Sequence, residues 1–89
     1  MELKKGLVVL AKAGRDKGSF FVVTDVKDGF IFICDGKHRP LERTKKKNPG
    51  HIALTTSVLP EHSMKTNREI RRALREFSAL PPEEVMTNV

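Results

Sequence analysis

The chain has 89 residues, a formal net charge of +6, 38% hydrophobic and 31% charged residues. That size bounds it to one small domain with a modest core, and no run approaches the ~20 apolar residues that a bilayer span requires. The single cysteine, Cys34, excludes an internal disulfide and a cysteine-built zinc site; with Met1–Lys5 turning polar at once, a reducing cytoplasm is the expected compartment.

The first 56 residues read as short strands separated by turns. Gly6 to Lys12 is the first strand and Ser19 to Val26 the second. Lys27-Asp28-Gly29 is a tight hairpin signal, because Asp-Gly suits turns that need positive φ. Gly29 to Cys34 is the third strand, and Asp35-Gly36 repeats the turn signal. A fourth strand is expected from about Arg39, with Pro40 placing it at an edge or a bulge, and His51 to Thr55 is the fifth. Five short strands with frequent turns make a small barrel.

Both faces of these strands are apolar. Val8 and Leu10 oppose Leu7 and Val9; Phe20, Val22, Thr24 and Val26 oppose Phe21 and Val23; Phe30, Phe32 and Cys34 oppose Ile31 and Ile33. A barrel wall facing water should be polar outside, so something is expected to cover part of it. The C-terminal segment is the candidate. Thr66-Asn67-Arg68-Glu69 is a capping-box pattern in which Thr66 accepts from the Glu69 amide and the Glu69 side chain reaches back. The helix should run over 66–79 and stop before Pro81-Pro82. At ~100° per residue, Ile70, Ala73, Leu74 and Phe77 fall on one face and Arg68, Arg71, Arg72 and Arg75 on the opposite one. Residues 57–65, with Pro60, read as a linker, and residues 80–89 as a tail.

The charge is uneven: residues 1–56 carry twelve Lys and Arg against six acids, and residues 57–89 carry five of each. A basic domain points to a polyanionic partner, nucleic acid first among them, although solubility alone also accounts for such charge. Three features are candidates for contact. In Gly14-Arg15-Asp16-Lys17-Gly18, two cations on a glycine turn can meet phosphates with help from backbone amides, while any hairpin tip is polar. Lys37 to Asn48 holds Lys37, His38, Arg39, Arg43, Lys45, Lys46 and Lys47, a run suited to phosphate contact more than to base reading; such runs are also common as solvated surface. The helix arginines are a candidate second surface or simply a wet helix face. The five phenylalanines read mostly as core, which favours structured RNA over a stacking platform for single strands. His38, His51 and His62 have no metal-ligand spacing, Cys34 reads as a small core residue, and nothing marks a catalytic base or oxyanion site, so neither enzyme, metal nor cofactor is expected.

Gly6, Val8-Val9, Ala13-Gly14-Arg15-Asp16-Lys17-Gly18, Phe21-Val22-Val23, Asp35-Gly36 and Arg39-Pro40-Leu41 together resemble KOW-domain RNA-binding proteins, specifically a short bacterial subfamily related to a eukaryotic and archaeal large-subunit ribosomal protein. Lys45-Lys46-Lys47 ahead of His51-Ile52 resembles this group too, as does Thr66-Asn67-Arg68-Glu69-Ile70-Arg71-Arg72-Ala73-Leu74. The resemblance covers most of residues 6–56 and part of the C-terminal segment. It implies an SH3-like barrel, RNA binding near the translation machinery, and Gly14, Arg15, Asp16, Lys17 and Gly18 in the KOW loop, with Gly18 its structural glycine and Asp16 orienting the loop. Ser19 departs from the pattern, since relatives often carry a further basic residue there. The expected partner is structured RNA, ribosomal RNA first, bound by a monomer with ribosomal proteins nearby. The alternative is a protein-interaction module in a ribosome or polymerase assembly, since KOW barrels also dock on proteins; charge alone does not separate RNA from DNA.

Overall fold

The computed structural model describes residues 3–79, so the tail expected over residues 80–89 lies outside the described residues. Five antiparallel strands, β1 (Leu7–Ala11), β2 (Phe20–Lys27), β3 (Phe30–Cys34), β4 (Lys45–Lys47) and β5 (Ile52–Val58), form one sheet in the order β4-β3-β2-β1-β5, followed by one helix, α1 (Asn67–Ser78). Among the described residues no helix is long and apolar enough to cross a membrane.

The β2–β3 hairpin turns at Asp28 and Gly29, with φ of 52° and 80°, two consecutive positive values that match the right-handed twist of the flanking strands. One bulge interrupts β2 at Thr24, between the pairs Val23↔Ile33 and Asp25↔Phe32; the Thr24 hydroxyl donates to the Phe32 carbonyl at 3.1 Å. A second irregularity separates the β1–β5 pairs Leu7↔Val58 and Val9↔Leu54. There the buried Thr55 hydroxyl donates to the Val8 carbonyl at 2.6 Å, giving that carbonyl a side-chain donor where the pairing shifts. Bulges of this kind bend strands and increase twist.

The apolar character of both strand faces resolves into two cores on one wall. The inner one holds Leu7, Val9, Ala11, Phe21, Val23, Ile31, Ile33 and Ile52. Among the described residues this cluster is drawn entirely from β1, β2, β3 and β5, with Leu3 and Leu54 packed against it. The outer core holds Val8, Val22 and Cys34 from the sheet, packed against Met64, Ile70, Leu74 and Phe77. The C-terminal helix is therefore the cover that the second apolar face requires. Its N-cap is Thr66, whose hydroxyl accepts from the Glu69 amide at 3.1 Å. The other half of the expected box differs: the Glu69 carboxylate accepts from that same hydroxyl at 3.0 Å, so its contact is with the cap side chain.

One expectation is corrected. The fourth strand does not begin near Arg39. The Asp35 carboxylate accepts from the amides of Lys37 and Arg39, and the Arg39 carbonyl accepts from the amides of Asp35 and Gly36, so the backbone groups that a strand would offer a neighbour are spent in a local turn. Pro40 then leads into a 3-10 turn at Leu41–Arg43, and the lysine run itself becomes β4. Residues 57–65, read as the linker, hold regular local structure. β5 continues through Val58, the Leu59 amide donates to the Gly6 carbonyl at 2.8 Å, and a 3-10 turn at Glu61–Met64 buries Met64 in the outer core. Pro60 caps that turn, where a missing amide costs nothing.

Candidate nucleic-acid interface

The β1–β2 loop is a tightly bonded turn. The Lys17 amide donates to Gly14, Ser19 to Asp16, Gly18 to Ala11 and Ala11 to Ser19. Gly18 has φ +89° and no heavy atom within 4 Å of where a Cβ would stand, so glycine is required there by the backbone conformation and not by crowding. This geometry turns Arg15 and Lys17 outward; both are exposed and neither side chain has a hydrogen bond or ion pair among the described residues.

Asp16 points the other way. Its side chain is only 12% exposed and its carboxylate lies 3.4 Å from the Arg39 guanidinium and 3.6 Å from the Lys45 ammonium. Beside it, the Lys47 ammonium donates to the Ala13 carbonyl at 3.1 Å. Lys45 and Lys47 pair with Ile33 and Ile31 across the β3–β4 ladder, and directly opposed residues share a face. Both therefore project from the inner side toward the loop, and Lys47 is 7% exposed. Lys46 points to the other face, its ammonium 4.3 Å from the centre of the Phe30 ring. The lysine run, expected as one phosphate-contacting unit, is thus divided: Lys47 and, in part, Lys45 and Arg39 anchor the loop, and Lys46 alone of the three lysines is exposed.

The 35–39 turn presents Lys37 and His38 to solvent, with His38 Nδ1 3.8 Å from the Asp35 carboxylate. Gly36, at φ +78°, sits against the first turn of α1; a Cβ there would collide with the Asn67 carbonyl. The contact is bolted by the Arg71 guanidinium donating to the Gly36 carbonyl at 2.8 Å, the Leu41 amide donating to the Asn67 side chain at 2.7 Å, and the Asn67 side chain donating to the Glu42 carboxylate at 2.9 Å. The four helix arginines consequently differ. Arg71 is tied to the turn, Arg72 faces Glu76 at 3.7 Å, and Arg68 and Arg75 are exposed without a side-chain partner among the described residues. Arg43 is likewise exposed and unpaired among them.

Loop, turn and helix meet around a cleft of about 610 Å³, lined by Gly18, Ser19, Phe20, Lys37, Arg71 and Arg75 among others. Phe20 is half-buried at its floor, its ring edge-on to Phe77 with centroids 5.1 Å apart. Sequence spacing did not bring this cleft into view, because Lys37 and Arg75 come together only through the packing of α1 against Gly36.

Burial pushes the Cys34 thiol above its ordinary range, Asp35 and Glu42 adding to the rise and a hydrogen bond with the Gly36 backbone opposing it. The thiol therefore stays protonated at neutral pH and packs as a small apolar group. Among the described residues no three His, Cys, Asp or Glu side chains cluster as metal ligands would. The chain matches no protein-family model, and no curated protein matches it at a significant level.

Proposed function

We propose that this chain is a KOW-type RNA-binding protein whose curled sheet is an SH3-like barrel, and that it docks on structured RNA through phosphate contacts, with ribosomal RNA the first candidate. The barrel reading is supported by an inner face buried, among the described residues, without a covering helix, and by Lys45 and Lys47 of edge strand β4 reaching the loop that follows β1. The observation that carries the RNA reading is that Lys37 and Arg75, exposed and without a side-chain partner among the described residues, line one cleft beside Asp35, while Arg15 and Lys17 stand on the loop whose Gly18 and Ser19 also line it. Arg43 and Lys46 are further exposed cations outside the cleft lining. Lysines and single arginines without a planar partner read charge and spacing, which suits a folded RNA backbone better than a base sequence.

A filter-binding titration with a folded ribosomal RNA fragment tests it. Engagement of ~4–6 phosphates makes log affinity fall against log salt with a slope of roughly −3 to −5. A flat salt response refutes the phosphate mechanism. Capture of partners from lysate before and after RNase separates RNA docking from protein docking, because protein partners that persist after RNase contradict the RNA reading.

A further inference from the structure

The cleft between the β1–β2 loop, the 35–39 turn and α1 has more chemistry than a phosphate groove needs. Its rim carries the cations Lys37, Arg71 and Arg75 beside the acid Asp35, while the more buried Phe20 and Leu74 give it an apolar floor. A continuous A-form duplex presents riboses and phosphates at its surface and no free base face, so a duplex lying over the rim would leave that floor wet. Ser19 is exposed on the wall, its hydroxyl without a partner among the described residues, and Gly18 beside it leaves room for close approach. The walls are fixed in advance: the Asp35 carboxylate holds two amides of the turn, Arg71 holds the Gly36 carbonyl, and Phe20 is braced on Phe77. A volume of about 610 Å³ falls within the usual range of ligand-sized clefts, ~300–1,000 Å³.

We infer that this cleft receives one unstacked nucleotide of the bound RNA, its base lying against Phe20 with an edge toward the Ser19 hydroxyl and its flanking phosphates on Lys37 and Arg75. The preferred target is then a helix interrupted by a bulge or loop, not an unbroken duplex. This rests on the RNA reading above. It also gives the serine at position 19 a role that a basic residue would not fill: a hydroxyl both donates and accepts, and so can meet a base edge. A base already unpaired enters at the lowest unstacking cost, which is how such a pocket selects.

Two hairpin RNAs, identical except for a single bulged 2-aminopurine in one and the same base paired in the other, provide the test. The bulged RNA is expected to bind the full chain at least tenfold more tightly, with a change in 2-aminopurine fluorescence that the paired RNA does not show. Ser19→Leu narrows the mouth of the cleft at an exposed position and should reduce that preference to less than threefold, with thermal melting verifying the fold. Equal affinities for the two RNAs, or a Ser19→Leu variant that keeps the full preference, overturn the cleft assignment. If the paired RNA still binds with a steep salt dependence in that case, the phosphate reading survives; binding of neither RNA overturns both.

Discussion

Replacing Lys47 tests whether it anchors the loop or meets RNA as proposed, because the anchor role predicts that stability falls while the salt slope stays unchanged. The side chain is 7% exposed, runs along the inner face and donates a single hydrogen bond to the Ala13 carbonyl. A hydrogen bond from a charged donor contributes about 1.5–3 kcal/mol. Lys47→Met keeps the aliphatic stem and loses that bond, but no longer has to desolvate an ammonium, which offsets roughly half of the loss. The net cost is about 1 kcal/mol, or a fall of about 4–8 °C in Tm for a domain of this size. Lys47→Ala also removes three buried methylenes at about 0.8 kcal/mol each, for a total near 3.5 kcal/mol and a correspondingly larger fall. Calorimetry or thermal circular dichroism gives the stability series. Salt titration of RNA binding gives the second readout: Lys47→Met should leave the slope unchanged, whereas Lys46→Ala should flatten it by about 0.7–0.9 with little change in Tm. A Lys47→Met variant with wild-type Tm and a flattened slope would refute the assignment of this lysine to the loop anchor.

Three further outcomes are expected. Gly36→Ala forces a Cβ into the Asn67 carbonyl at a positive φ, so it should destabilise by about 3 kcal/mol or more and loosen α1, read as lost helical signal at 222 nm and a lower Tm. Asp16→Asn removes the acid between Arg39 and Lys45; it should lower stability by about 1 kcal/mol and steepen the salt slope of RNA binding, because two cations are released to solvent. Cys34 should resist thiol reagents in the native state and react at once in urea. Because its thiol is pushed up in the fold from a reference of 9.0, the folded state binds the proton more tightly than the unfolded state, so stability declines as pH rises above about 9, and denaturant melts of Cys34→Ala should lack that part of the decline.

How much of this was legible in the sequence depended on whether the signal was local. Asp28-Gly29 specifies its turn through two adjacent residues, and Thr66 with Glu69 specifies a helix start within four, so both stood where the pattern put them. The demand for an outer cover was legible as well, because alternate residues of β1 to β3 are apolar on both sides. The fourth strand begins at Lys45 and not near Arg39 because the Asp35 carboxylate captures amides two and four residues on, a competition that strand patterning does not display. The lysine run hid its division for a different reason. A strand alternates sides at every residue, so three identical residues have one sequence signature and two environments, and only the register against Ile31, Phe32 and Ile33 tells them apart. The cleft was illegible altogether, since it depends on a helix–turn contact across about 35 residues, from Gly36 to Arg71.

The single wall with a core on each side has a consequence for how the chain can be divided. Val8 and Val22 belong to one core, Val9 and Phe21 to the other, and each pair lies directly beside its neighbour in the same two strands. The helix therefore cannot be treated as an appendage. A fragment ending before Thr66 would strip Ile70, Leu74 and Phe77 from Val8, Val22, Cys34 and the half-buried Phe20, leaving an apolar surface covered only in part by Met64, Leu41 and Leu59, and such a surface drives association. Strands and helix should then melt as one cooperative unit, and any graft of the basic loop onto another scaffold must carry α1 with it.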